Sequence, residues 1–438
     1  MEATTPTTTS ASTPELPGGP IDRTALQRRV LRVLTGGQVV GSAALGAAVT
    51  IGAFVIQDIL GQETPLGGAA AAGFTLGVAV MAQVLSRVMR RRGRRPGLQL
   101  GYATAAVGGV VAAVGAEQGL LVLFLAGLFL FGSGQAGNLL ARYAATDLAE
   151  PEARSRAMSR VVFASTFGAV FGPLLIGPAE RAGQEWFGLE KYTGPWLFGS
   201  LMFVFAAINT TRLRPDPLVV AGGLARPGDD TPAPPIRAVL RLVAGIPSAR
   251  LAILSMTVSQ AAMVAVMTMT PVHMRLHGDE SLSQFVVSTH IAGMFAFAPL
   301  VGRFADRRGR VTAILVGAAT LAASTVLAAL AGDAPVLLFP SLWGLGLGWS
   351  FGLIGGSSLL SESVPAEQRV AVQGSADLLM SLCGGIAGFS SGFIRRAFGF
   401  HMLANLATLA AGVLLVVAFT AHQQSRRRQP ATPVAIPD

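Results

Sequence analysis

Charge is scarce in this sequence. Only 13% of its 438 residues are Asp, Glu, Lys or Arg, about half of the ~25% found in soluble domains. That is too little to coat a water-soluble protein of this size. Lysine is all but missing, with Lys191 the only one among 33 basic residues. Cysteine is represented by Cys383 alone, which excludes an intramolecular disulfide. The five histidines are scattered, and no metal-ligand spacing, phosphate loop or catalytic triad stands out. These absences argue against a soluble globular protein and against an enzyme. No cofactor and no metal are expected.

What is present is apolar surface. Hydrophobic residues make up 51% of the chain and the mean hydropathy is +0.56. Stretches of the ~20 residues needed to cross a bilayer recur from end to end, so the lipid bilayer is the expected partner. The net charge of +10 resides in short arginine clusters between apolar stretches, where it acts as a topology signal and not as a nucleic-acid footprint. Residues Met1 to Pro20 are rich in Thr, Ser and Pro and lack the order of a cleaved signal peptide.

Twelve membrane helices are predicted, making this an all-α membrane protein. The first six cover 34–57, 66–88, 98–116, 119–145, 158–180 and 193–212. The second six cover 251–272, 283–304, 311–331, 336–360, 370–394 and 400–421. The chain then divides into a disordered tail (1–32), a six-helix bundle (33–212), a linker (213–250), a second six-helix bundle (251–421) and a tail (422–438). The linker contains Pro227, Gly228, Asp229, Asp230, Pro232, Pro234 and Pro235. Its stretch Ile236–Val243 reads either as a short amphipathic surface helix or as plain linker.

If the spans alternate, six arginine clusters fall on one side: before the first helix, after helices 2, 4, 8 and 12, and in the linker. The opposite loops carry acids such as Glu117, Glu180, Glu185 and Glu190. By the positive-inside rule, both termini and the linker are expected in the cytoplasm of a cell whose inner membrane holds the protein.

The halves repeat each other. Gly93 and Arg94 match Gly309 and Arg310 at an offset of 216, as Gly168 and Gly172 match Gly384 and Gly388. Asp147 and Arg154, seven apart, match Glu362 and Arg369 at an offset of 215. Agreement on one offset, on equivalent helices and loops, indicates duplication. Six-plus-six repeats are the architecture of transporters that rock two bundles around a midplane site.

After the eighth span comes Gly302-Arg303-Phe304-Ala305-Asp306-Arg307-Arg308-Gly309-Arg310. It resembles the G-x-L-x-D-R-x-G-R loop of the major facilitator superfamily, with Phe304 in the Leu place. The resemblance implies two pseudo-symmetric six-helix bundles, alternating access and a conformational latch. Gly302 and Gly309 allow tight turns, Asp306 suits the positive end of a neighbouring helix, and Arg307 and Arg310 are available to carboxylates. Asp306 is expected at the start of the fifth helix, around Arg154 and Arg156. Asp147 is expected to latch to Arg94 or Arg154. The first copy of the loop has Arg90 where the family has Asp, which breaks the symmetry of the latch.

Gly168-Ala169-Val170-Phe171-Gly172-Pro173 on the fifth helix resembles a G-x-x-x-G-P motif of proton-coupled drug antiporters. Its physical content is close packing through two glycines and a proline bend. The arginine those antiporters carry on the fourth helix is absent, with Gly132 standing in its place. Arg142-Tyr143-Ala144-Ala145-Thr146-Asp147 and His290-Ile291-Ala292-Gly293-Met294-Phe295 look like features of an unassigned bacterial branch.

Ionisable groups inside spans are costly and are functional candidates by default. Asp377, two turns into the eleventh helix, and His290, near mid-depth on the eighth, are the candidate proton carriers, with structural partnership as the alternative for each. Gln135, Asn138, Gln260, Phe295 and Trp349 are candidates for a mostly apolar substrate cavity with a few directing amides. The expected function is proton-driven export of a moderately apolar organic small molecule by a monomer. The alternatives are uptake or facilitated passage of a small metabolite, or a transport-inactive sensor.

Overall fold

A computed structural model describes residues 22–60, 68–224, 236–276, 280–331 and 334–428. The predicted tail up to Pro20, the proline-rich part of the linker and the last ten residues lie outside the described residues.

The first half contains α1 (Arg23–Leu60), α2 (Gly68–Arg92), α3 (Arg94–Glu117), α4 (Leu121–Ala144), α5 (Arg154–Leu174), α6 (Ile176–Phe187) and α7 (Thr193–Thr210). A short α8 (Pro217–Val220) and α9 (Ile236–Gly245) belong to the linker. The second half contains α10 (Pro247–Leu276), α11 (Glu280–Phe295), α12 (Ala298–Arg308), α13 (Arg310–Leu330), α14 (Pro335–Ser363) and α15 (Ala366–Arg428). No strand occurs among the described residues.

Eight stretches among the described residues are long and apolar enough to cross a membrane, with α11 and α12 counted as one and α15 once. Helix α15 is two arms joined at Gly399, where φ is 84°, a conformation glycine adopts without steric cost. Its second arm, with α1, α5 and α7, completes twelve crossings. On α3, Val107, Val110 and Val114 are exposed, as are Leu406, Leu409, Val413 and Val416 on α15. Recurrence every three or four residues makes these the lipid-facing stripes of their helices.

Several expected boundaries need correction. Residues 23–32 are not a disordered tail but the first turns of α1. Asp22 accepts the amides of Thr24 and Ala25 at 2.9 and 3.0 Å, and Leu26, Val30 and Leu31 are buried. The last helix runs to Arg428, past its expected end at 421. The fifth span ends at Leu174, directly after Pro173, and α6 restarts after Leu175. The eighth span is interrupted between Phe295 and Ala298, because Pro299 has no amide to continue the ladder.

Each half has its own apolar core, that of the first built around Trp196, Phe131, Phe203 and Phe124. The halves meet where α2 packs on α15 and α5 packs on α12. Both crossings use small residues. Gly302 of α12 lies against Ser155 and Ser159 of α5, and Gly374 of α15 against Ser86 of α2. Gly302 and Ser86 are 216 positions apart, so the two crossings are copies of one contact.

Candidate functional site

The buried charge of the molecule is concentrated where the halves meet. Asp377, on the first arm of α15, forms an ion pair with Nη2 of Arg142, on the last turn of α4. The two side chains are 0% and 1% exposed. Arg142 is held by more than its counter-ion. Its Nε donates to Ser357 Oγ of α14 at 3.1 Å, and its Nη2 also donates to Tyr143 Oη at 3.2 Å. The guanidinium lies 4.4 Å from the centre of the Tyr143 ring. The other oxygen of Asp377, Oδ2, is buried without a protein hydrogen-bond partner. The pair therefore ties α4 of one half to α14 and α15 of the other, and one carboxylate oxygen is left over.

Below it, toward the arginine-rich end, lie two copies of a second device. Arg94 Nε and Nη2 grip Asp147 at 2.8 and 3.0 Å, and Nη2 also donates to Gln373 Oε1 of the other half at 2.9 Å. In the second copy, Arg310 meets Glu362 at 2.9 Å and Asp306 at 3.2 Å. It also donates across the halves to the carbonyl of Pro151. Arg94 matches Arg310, and Asp147 matches Glu362, in the duplicated chain. The arginines seven residues beyond the acids act across the halves: Arg154 lies in the electrostatic range of Glu362, and Arg369 in that of Asp147.

Asp306 sits on the first turn of α5. It accepts the amides of Ser155 and Arg156 at 3.0 and 2.9 Å and the side chain of Arg156 at 3.1 Å. Unpaired amides and the helix dipole make that turn a site for an anion. Arg307 is exposed on the last turn of α12. Gly93 and Gly309 hold equivalent turns with φ of 97° and 92°.

The remaining candidates are dispersed. His290 Nδ1 donates to the carbonyl of Leu342 on α14 at 2.8 Å, and its Nε2 is buried without a protein partner. Asn138 accepts from Tyr102 Oη at 3.0 Å and is 3% exposed. It packs against Gly41, inside the first bundle. Gln135 is half-buried on α4. In the second half, three candidates cluster: Trp349 Nε1 donates to Gln260 Oε1 at 2.7 Å, and Phe295 meets Trp349 edge to face at 5.7 Å. Gly168 packs on Ser42 and Ala43 of α1, and its copy Gly384 on Gln260 of α10. Gly172 is buried, and Pro173 is the second-last residue of α5.

Sequence reasoning quoted Arg142 only as part of a stretch resembling a bacterial branch and gave it no role, and it passed over Gln373 and Asp216. An arginine within an apolar span is itself a signal, but Arg142 stands so near the span's end that it resembles a loop charge. Gln373 and Asp216 acquire meaning only through partners more than 100 residues away.

The cross-half hydrogen bonds of Gln83, Arg94, Arg142 and Asp306 lie at or below the level of the Arg142–Asp377 pair, toward the arginine-rich end. In this conformation that end is closed.

Comparison with known proteins agrees with this architecture. The family model described as Major Facilitator Superfamily matches residues 38–387 and 251–436. The chain is 34% identical over 415 residues to the uncharacterized MFS-type transporter YdeG of Bacillus subtilis, covering 93% of this chain and 94% of that protein. It is 26% identical over 384 residues to the riboflavin transporter RfnT of Brucella anthropi, covering 87% and 92%. Among solved structures, the human organic anion transporter MFSD10 superposes with a TM-score of 0.73 at 16% identity, covering 90% of this chain and 99% of that one. With two six-helix bundles, a duplicated loop signature and relatives matched along nearly their whole length, the chain belongs to the major facilitator superfamily of membrane transporters.

Proposed function

We propose that this transporter exports a moderately apolar organic small molecule in exchange for protons, and that Asp377 carries the proton. The observation behind this reading is the Arg142–Asp377 pair, which is fully buried and spans both halves. On the positive-inside rule the arginine-rich end faces the cytoplasm of the inner membrane.

The chemistry follows from what a proton does to such a pair. Removing one partner of a buried ion pair costs about 3–5 kcal/mol, because the other charge is left uncompensated. A proton arriving from outside on Asp377 neutralises the carboxylate and leaves Arg142 a buried, unpaired cation. Separation of the halves at the cytoplasmic end relieves that cost by letting water reach Arg142. There the proton departs, substrate binds, and the pair re-forms as the end closes. One proton moves inward while one substrate moves outward. The G-x-x-x-G-P stretch at Gly168–Pro173 supports the outward direction for substrate.

The test uses purified protein in liposomes with an internal pH dye, comparing the parent with Asp377→Asn. Candidate drugs and metabolites should evoke proton movement in the parent and none in the variant. Substrate flux without proton movement, unchanged in the variant, would overturn the mechanism and leave a facilitator.

A second reading is uptake of a flat heteroaromatic metabolite. It is favoured by the relative named as a riboflavin transporter, together with the Phe295–Trp349–Gln260 cluster, which offers ring faces beside an amide. Radiolabelled riboflavin uptake by the same liposomes, with and without Trp349→Ala, separates the two.

A further inference from the structure

The end of α2 and the start of α3 carry Arg90, Arg91, Arg92, Arg94 and Arg95 in six positions around the turn at Gly93. Arg94 must leave this cationic cluster, turn inward, and reach both Asp147 and Gln373. Its backbone lies at the turn where Gly93 has φ of 97°. In the duplicated turn at Gly309, the only side chain among the described residues within 4 Å of an added Cβ is Thr312, which belongs to the helix that follows. At Gly93 a partner comes from elsewhere. Asp216, just past the last helix of the first half, accepts the amide of Arg94 at 3.1 Å and that of Arg95 at 2.7 Å. Its carboxylate is pressed so closely against Gly93 that any side chain there would displace it.

Asp216 is itself fixed. Its Oδ1 also accepts the amide of Leu218, capping α8. Leu213 and Leu218 are buried in the core of the first half. Arg23 of α1 donates to the carbonyl of Val220 at 3.4 Å. Residues 213–224 are therefore not free linker but a strap folded onto the first bundle, and they correct the expectation of a linker beginning at 213.

The repeat explains why one copy needs the strap. In the second half, Asp306 joins its loop to α5 of the opposite bundle. The matching position in the first half is Arg90, a cation that cannot cap a helix start. We infer that Asp216 is a positioning residue for the cytoplasmic gate: it supplies the anion the first loop lacks and sets Arg94 to bridge Asp147 and Gln373. The linker strap thereby biases the equilibrium between closed and open cytoplasmic ends. This rests on the reading of that end as a gate, but not on proton coupling or on any substrate.

The experiment uses the full-length protein in lipid nanodiscs, with Cys383→Ser removing the native thiol. Spin labels at Arg91→Cys and Gln368→Cys, both exposed, report the distance between α2 and α15 by pulsed electron paramagnetic resonance. Arg94→Ala should raise the long-distance population on the order of tenfold, within the usual span of coupled transitions. Asp216→Ala should do the same, Asp216→Asn should fall between, and Asp216→Glu should behave as the parent. A purely structural strap would lower the melting temperature in all three Asp216 variants without moving the distances.

If Arg94→Ala lengthens the distance and neither Asp216→Ala nor Asp216→Asn does, the strap has no positioning role and the inference fails while the gate stands. If Arg94→Ala is also without effect, the gate reading itself falls and takes the inference with it.

Discussion

At the scale of single residues, the costliest feature is the Arg142–Asp377 pair. Both charges are withdrawn from water, and their attraction offsets desolvation only while both are present. Asp377→Ala should lower stability by about 3–5 kcal/mol, and Arg142→Met alone by a similar amount. The double variant Arg142→Met with Asp377→Leu should recover most of that loss, since a well-packed apolar pair carries no desolvation cost. A double-mutant cycle from unfolding in one detergent measures this, and additive effects of the two single changes would mean the pair is not coupled. Asp377 was legible in the sequence as an isolated acid in an apolar run. Its partner lies 235 residues earlier, and no spacing rule connects the two. The same holds for Asp147, for which Arg94 and Arg154 were equally open until the fold brought Arg94 to it.

At the scale of elements, close approach between helices depends on the absence of side chains. Gly302 lies on Ser159 Oγ and the carbonyl of Ser155 across the halves, so a Cβ there has no room. Gly302→Leu should hold α12 off α5 and keep the arginine-rich end from closing. The expected result is transport reduced to background with unchanged helix content. A cysteine at Ser375, in a Cys383→Ser background, should then react faster with a thiol reagent applied from that end. Gly412→Leu, where nothing lies within 4 Å of an added Cβ, is the matched control and should transport normally. Unchanged thiol reactivity in Gly302→Leu would show that α5 and α12 need not touch for closure. Element positions were largely readable because runs of ~20 apolar residues between arginine clusters are a strong signal. The breaks after Pro173 and around Pro299 were not read as interruptions, because proline is tolerated within membrane helices when neighbours satisfy the freed groups.

At the scale of the whole molecule, the ion pairs and hydrogen bonds described between the two bundles gather toward the arginine-rich end, and alternating access requires those ties to break together. Gln83 Nε2 meets Ser375 Oγ across the halves at 3.3 Å. A short bifunctional thiol reagent joining Gln83→Cys to Ser375→Cys, again with Cys383→Ser, should stop transport, and a reducible version should restore it on cleavage. Continued transport by the cross-linked protein would show that this interface does not open during the cycle.

The duplication, the twelve crossings, the side that carries positive charge and the latch loop were determined by the sequence alone. Each depends on local composition or on a repeat of nearly constant offset, and the bilayer imposes element length directly. Only the tertiary structure decided which charges meet. The order of pairing — Arg142 with Asp377, Arg94 with Asp147 and Gln373, Asp216 with the α3 amides — arises from packing two bundles face to face. In that low-dielectric interface each charge must find a partner wherever the fold places one, at any distance along the chain.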